Sequence, residues 1–248
     1  MSDRIAAKLL AEFIGTFALI FVGAGAAAVV GGGAGLPGVA AVAFAHGLTV
    51  MAFAFAYGSV SGGHFNPSVT VAVLAAGAMR RGEAAGYVVS QLVGGILGAL
   101  LLRAVLGGTG TSLGTPDLAH NLGLGATTLS VAPWAGYVIE AVLGFFLSTV
   151  VLSTAVTGRA GNLAPLAIGV TLIFNIIMGG PLTGAAFNPA RALGPMVATG
   201  NFSDAWLYLS APIVGAIIAV ILHVGLTRLA QERVNKWPPE AARGRPQA

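Results

Sequence analysis

The tripeptide Asn66-Pro67-Ser68 comes back as Asn188-Pro189-Ala190, 122 residues further along (66 to 188). Proline fits the first position of a helix, where its missing N–H is an orphan anyway. Asparagine fits the N-cap, because its side-chain oxygen accepts from a first-turn N–H. Each copy therefore predicts a helix start. The flanks agree too: Gly62-Gly63-His64-Phe65 precedes the first copy and Gly184-Ala185-Ala186-Phe187 the second. The chain is 56% hydrophobic and 8% charged, whereas a soluble domain carries about 25% charged residues. This is a membrane chain, and in lipid irregular backbone is tolerated only inside protein or along a watery cavity. The duplication thus predicts two short helices starting at bilayer depth, in two related halves.

Crossing the hydrocarbon core takes about 20 apolar residues. Six stretches reach that length: 8–30, 39–60, 85–106, 134–156, 163–180 and 205–229. The segments 66–79 and 188–199 are too short. A helix from Pro67 to Met79 rises about 18 Å, a little over half the core. The expected fold class is an all-α membrane protein with six transmembrane helices and two re-entrant half-helices. Three spans per half is an odd number, so the halves are inverted, with the working site near mid-depth. The expected organisation is a first repeat over 1–106, a connecting loop rich in Gly and Thr over 107–133, a second repeat over 134–230 and a polar tail over 231–248.

The isoelectric point near 10.0 suggests nucleic acid, but the basic residues sit at the ends of apolar stretches. With a cytoplasmic N-terminus, all but Arg103 and Arg191 of the twelve Lys and Arg fall on the cytoplasmic side, as the positive-inside rule requires. Both termini are then cytoplasmic, the loop 107–133 is extracellular, and the first apolar stretch reads as a retained span in the cell membrane. There is no cysteine, and no His/Cys/carboxylate pattern suggests a metal or cofactor. An intramembrane serine protease would want Gly-x-Ser-Gly, and Ser59-Val60-Ser61-Gly62 lacks the first glycine. The chain does not read as an enzyme. A secondary transporter would want ionisable groups in the broken segments, which apart from Arg191 offer only Asn, Ser and Thr.

Two half-helices meeting N-terminus to N-terminus place roughly half a positive charge each at the centre. Asn66 and Asn188, their side-chain oxygens occupied by capping, keep NH2 groups as donors. A water between them accepts from both and can only donate outward, which interrupts a proton wire, while the positive centre repels cations. Glu12 and Glu140 pair between the halves; each can accept the free N–H groups of a re-entrant loop, with Gln91 assisting. His64, two residues before Asn66, fits a bond within the loop or a lining of the cytoplasmic vestibule.

These residues resemble the aquaporin (major intrinsic protein) family, which carries paired Asn-Pro-Ala motifs, over about residues 8–228. The most specific matches are Ser61 to Thr70 and Phe187 to Pro195; Ser68 stands where Ala is usual. The resemblance implies a pore in each subunit of a homotetramer, and an outer constriction formed by His46, Ile176, Ala185 and Arg191. That set looks like the plant tonoplast intrinsic subgroup. It implies passage of water and small neutral solutes (ammonia, hydrogen peroxide, with urea a further candidate) and exclusion of protons and ions. A glycerol-type facilitator is the alternative; such proteins typically carry Asp after the filter Arg, and here Ala192 follows.

Overall fold

The computed structural model describes residues 2–30, 35–108 and 110–236. Six helices among them are long and apolar enough to cross a membrane: Arg4–Val30, Pro37–Ser61, Arg81–Val105, Pro133–Val156, Gly161–Thr183 and Ala205–Thr227. The first is built from α1 (Ser2–Ala18), a π-helical segment Leu19–Ala24 and α2 (Gly25–Val30). Then follow α3 (Gly35–Ser61), the short α4 (Pro67–Ala75) and α5 (Arg81–Val105). After the hairpin strands β1 (Leu122–Leu124) and β2 (Thr127–Leu129) come α6 (Pro133–Val151), whose end turns π-helical over Leu152–Val156, α7 (Ala164–Thr183), the short α8 (Pro189–Thr199) and α9 (Ala205–Lys236). Large apolar side chains such as Val29, Val89, Val105 and Ile221 face outward, as a lipid-facing surface requires.

The halves repeat contact by contact. A Cβ on Gly94 of α5 would sit 2.5 Å from the Phe13 carbonyl oxygen of α1, and one on Gly215 of α9 would sit 1.9 Å from that of Ala141 on α6. Small residues let helix backbones touch where lipid provides no hydrophobic drive. The short helices cross over: α8 packs on α5 and α4 on α9, so neither half closes without the other. Gly194 of α8 and Gly95 of α5 meet with no space for a side chain.

Three expectations are modified. Helix α4 stops at Ala75 rather than near Met79. Gly77 turns left-handed at φ 77, and its N–H bonds back to the Leu74 carbonyl at 2.9 Å, so the helix rises about 12 Å. Helix α9 continues to Lys236, past the expected start of the tail; residues 237–248 lie outside the described residues. The connecting loop holds the hairpin β1–β2, paired Leu122 with Leu129 and Leu124 with Thr127. Its earlier part is packed: a Cβ on Gly114 would strike Ala24 at 2.9 Å, Pro116 lies against Gly184, and the Ala119 N–H donates to the Leu182 carbonyl at 2.9 Å.

Candidate functional site

The two Asn-Pro corners are built alike. Asn66 (φ −157, ψ 120) and Asn188 (φ −152, ψ 109) are extended, each caps its helix with its side-chain oxygen, and Pro67 and Pro189 open the helices. Asn66 Oδ1 accepts from the Ser68 N–H at 2.8 Å, and Asn188 Oδ1 from the N–H groups of Ala190 at 3.0 Å and Arg191 at 3.2 Å. Asn66 Nδ2 donates to the Phe187 carbonyl at 3.0 Å, and Asn188 Nδ2 to the Phe65 carbonyl at 2.9 Å. Each NH2 group thus spends one hydrogen tying the halves together and keeps one to offer. Ser68, fully buried, places its hydroxyl 2.8 Å from Asn66 Oδ1 and 3.4 Å from the Phe187 carbonyl. That hydroxyl supplies Asn66 with the second capping bond that Asn188 takes from the Arg191 N–H.

The loops leading into these corners are strained. Phe65 (φ 48), Ala185 (φ 43) and Phe187 (φ 32) are left-handed without being glycine, at a cost of order 1–3 kcal/mol each. Two carboxylates offset it. Glu12 takes Ser61 Oγ at 2.7 Å and the His64 N–H at 3.0 Å on one oxygen, then the Phe65 N–H at 2.7 Å and Gln91 Nε2 at 2.8 Å on the other. Glu140 takes Thr183 Oγ1 at 2.6 Å, the Ala186 N–H at 2.9 Å and the Phe187 N–H at 2.6 Å. Sequence reasoning missed two clamps beside them. Tyr87 Oη donates to the Ser61 carbonyl at 2.7 Å, and Tyr208 Oη to the Thr183 carbonyl at 2.8 Å. Their spacing of 121 residues, close to that of the Asn-Pro motifs, was the available signal.

Two cavities flank this junction. The larger, about 350 Å³, runs along the carbonyl-bearing stretches Ser61 to Asn66 and Ala185 to Asn188, and reaches His46 and Arg191. Its far end is bounded by Lys8 and Glu83, whose ion pair measures 2.6 Å. The smaller, about 130 Å³, lies on the side of the connecting loop and is lined by Ile176, Ser112, Thr115 and Arg191. Arg191 borders both.

Of the four constriction candidates, His46, Ala185 and Arg191 line the larger cavity, and Ile176 and Arg191 the smaller. Arg191 is 4% exposed, with Nε and Nη1 bonded to no protein atom. His46 Nδ1 lies 2.9 Å from the Val42 carbonyl; a carbonyl only accepts, so Nδ1 carries the proton and Nε2 is an acceptor. That Nε2 is buried without a protein partner. The ring fits because Gly23, in the π-helical segment of the first span, has no Cβ; one there would lie 2.6 Å from it. Among the described residues no group of three or more His, Cys, Asp or Glu is placed to hold a metal.

Comparison with known proteins agrees with this arrangement. The family profile of the major intrinsic proteins matches residues 2–223. Aquaporin NIP1-2 of Oryza sativa is 40% identical over 213 residues, covering 84% of this chain and 68% of that protein. Aquaporin TIP4-4 of Zea mays is 39% identical over 225 residues, covering 88% and 85%. A glycerol uptake facilitator-like protein of Lactiplantibacillus plantarum is 37% identical over 218 residues, covering 86% and 94%. The aquaglyceroporin from Plasmodium falciparum, solved by X-ray, has the same fold at a TM-score of 0.75 and 22% identity, over 88% of this chain and 95% of that one. With its six spans, two crossed half-helices and paired asparagine caps, the chain belongs to the major intrinsic protein family, the aquaporins, which are passive membrane channels for water and small solutes and not enzymes.

Proposed function

We propose that this channel conducts water together with ammonia, hydrogen peroxide and urea, and excludes protons and ions. The observation that carries the proposal is the pair of crossed asparagine caps. Each NH2 group retains one hydrogen beside a cavity that Asn66, Asn188 and Arg191 all line. A water that accepts from both is left with donors only, so protons cannot hop through it; the two helix N-termini add positive potential against cations.

In this proposal His46, Ile176, Ala185 and Arg191 form the narrow filter. Arg191 offers donors to a water stripped of neighbours, His46 Nε2 an acceptor, Ile176 an apolar wall, and Ala185 leaves room for solutes a little larger than water. A glycerol-selective channel has less support, because Ala192, buried beside Met196 and Tyr208, follows Arg191 where such channels typically carry Asp. The protein is proposed to sit in the cell membrane as a homotetramer with both termini cytoplasmic, consistent with the distribution of Lys and Arg.

The test is stopped-flow light scattering on proteoliposomes, with osmotic, ammonia, urea and glycerol challenges run in parallel. Fast shrinkage with low activation energy and no current supports the channel as described. Saturable or gradient-coupled uptake contradicts it, and glycerol flux exceeding urea flux contradicts the assigned solute range.

A further inference from the structure

His64 lines the larger cavity between the Asn66 corner and the Lys8–Glu83 end, and two side chains hold its ring from behind, one of them bonded in turn to Gln91. Nδ1 lies 3.1 Å from Thr70 Oγ1. The same hydroxyl lies 2.9 Å from Gln91 Nε2, 3.1 Å from the Asn66 carbonyl and 3.4 Å from Gln91 Oε1. The ring meets Tyr87 edge-on, with centroids 5.2 Å apart.

Proton counting decides the roles. Glu12 accepts from the His64 and Phe65 N–H groups and from Ser61 Oγ, and the Gln91 group facing it at 2.8 Å is the NH2. One hydrogen of that NH2 goes to Glu12 and the other to Thr70 Oγ1. A hydroxyl has one proton and two lone pairs. If Thr70 gives its proton to the Asn66 carbonyl, its second lone pair is free for a proton on His64 Nδ1, and three bonds form around Oγ1. If Thr70 gives that proton to His64 instead, only two form. Buried groups settle on the arrangement that satisfies most of them.

We infer that Thr70 and Gln91 act as positioning residues that hold His64 with its proton on Nδ1 and present Nε2 to the cavity as a bare acceptor. The surroundings leave Nε2 open: a Cβ on residue 62 would stand 3.2 Å from it, and Gly62 has none. His46 reaches the same state through the Val42 carbonyl, so both histidines along the path would accept. The inference rests on the channel reading above and sharpens it. Water between the asparagines and the Lys8–Glu83 end donates away from the centre, and an acceptor at His64 fits that direction where a ring N–H would oppose it. The second half has no such device, because Ala186, Ala192 and Pro212 occupy the places of His64, Thr70 and Gln91.

The test is nitrogen-15 NMR of histidine-labelled protein in lipid vesicles at about pH 9, well above the usual histidine titration, with the His64 signals assigned by their loss in His64→Gln. The expected spectrum has a protonated Nδ1 and a bare Nε2 at His64. Thr70→Ser should keep it, while Thr70→Val should mix the two tautomers and lower water permeability about fivefold, the effect of one hydrogen bond. A protonated Nε2 in the wild-type protein, or an unchanged signature in Thr70→Val, overturns the inference. If Thr70→Val does not fold, the wild-type spectrum decides alone. Wild-type vesicles without fast osmotic shrinkage would instead overturn the channel reading and leave the tautomer result intact.

Discussion

The two re-entrant loops have the same skeleton and different linings. Each has a buried carboxylate, a hydroxyl bridging to it, a tyrosine on the neighbouring carbonyl and an asparagine cap donating into the other half. Beyond that they part. The first loop adds Gln91, Thr70 and His64 in one network with Glu12. The second replaces all three with Ala or Pro and has Arg191 where the first has Val69. The bonds that close both corners were kept in both copies, while the cavity-lining positions His64 and Val69 and the residues behind His64 diverged. The duplication secures the fold, and the asymmetry makes the two ends of the path chemically different.

The largest effect should come from breaking the shared skeleton. Glu140→Leu leaves the Ala186 and Phe187 N–H groups without an acceptor, at about 1–3 kcal/mol each, and leaves the Thr183 hydroxyl only the Gly179 carbonyl at 3.3 Å. Glu12→Leu removes the acceptor of four donors, two more than are stranded at Glu140, so its Tm in detergent and its yield should fall further. Equal losses would mean that the extra network around Glu12 contributes nothing.

Exchanging the linings comes next. Arg191→Val should raise urea and glycerol flux relative to water about tenfold, as the loss of a charged hydrogen-bond donor implies; an unchanged solute profile would remove Arg191 from the filter. The reverse exchange, Val69→Arg, puts a second cation in the larger cavity that Arg191 already borders and should suppress water flux in the same assay.

A smaller change is expected from Gly23→Ala, which pushes on the His46 ring at 2.6 Å and should cost about 1–3 kcal/mol through overpacking. Gly58→Ala, with nothing within 4 Å, is the matched control, and thermal unfolding of the pair reads the difference. Ser68→Ala removes one capping bond to Asn66 and should cost about 1 kcal/mol, leaving Asn66 one such bond where Asn188 has two. The smallest effect is none: with no cysteine in the chain, mercurials should leave water flux unchanged.

Much of this was legible because it is carried by local chemistry. Six apolar lengths gave six spans, Asn-Pro gave two N-caps, and Glu12 and Glu140 stood out as paired carboxylates that lipid tolerates only with partners. Other features depend on what lies opposite. The crossed bonds from Asn66 and Asn188 join residues more than 120 positions apart. Tyr87 and Tyr208 read as ordinary span residues until their hydroxyls meet the Ser61 and Thr183 carbonyls. The folding of Gly114 and Pro116 against Ala24 and Gly184 is invisible in a loop rich in Gly and Thr, since such composition marks a connection and not its path.

By itself, then, the sequence determined the membrane class, the inverted duplication and the half-helix starts. Hydropathy, helix capping and proline geometry act over a few neighbouring residues and need no knowledge of the rest. Tertiary structure alone decided which hydrogens remain to be offered at the centre, where α4 ends, and that Arg191 borders both cavities. Those outcomes follow from which acceptors the folded chain brings within about 3 Å of each donor, and that proximity exists only once the two halves have closed on each other.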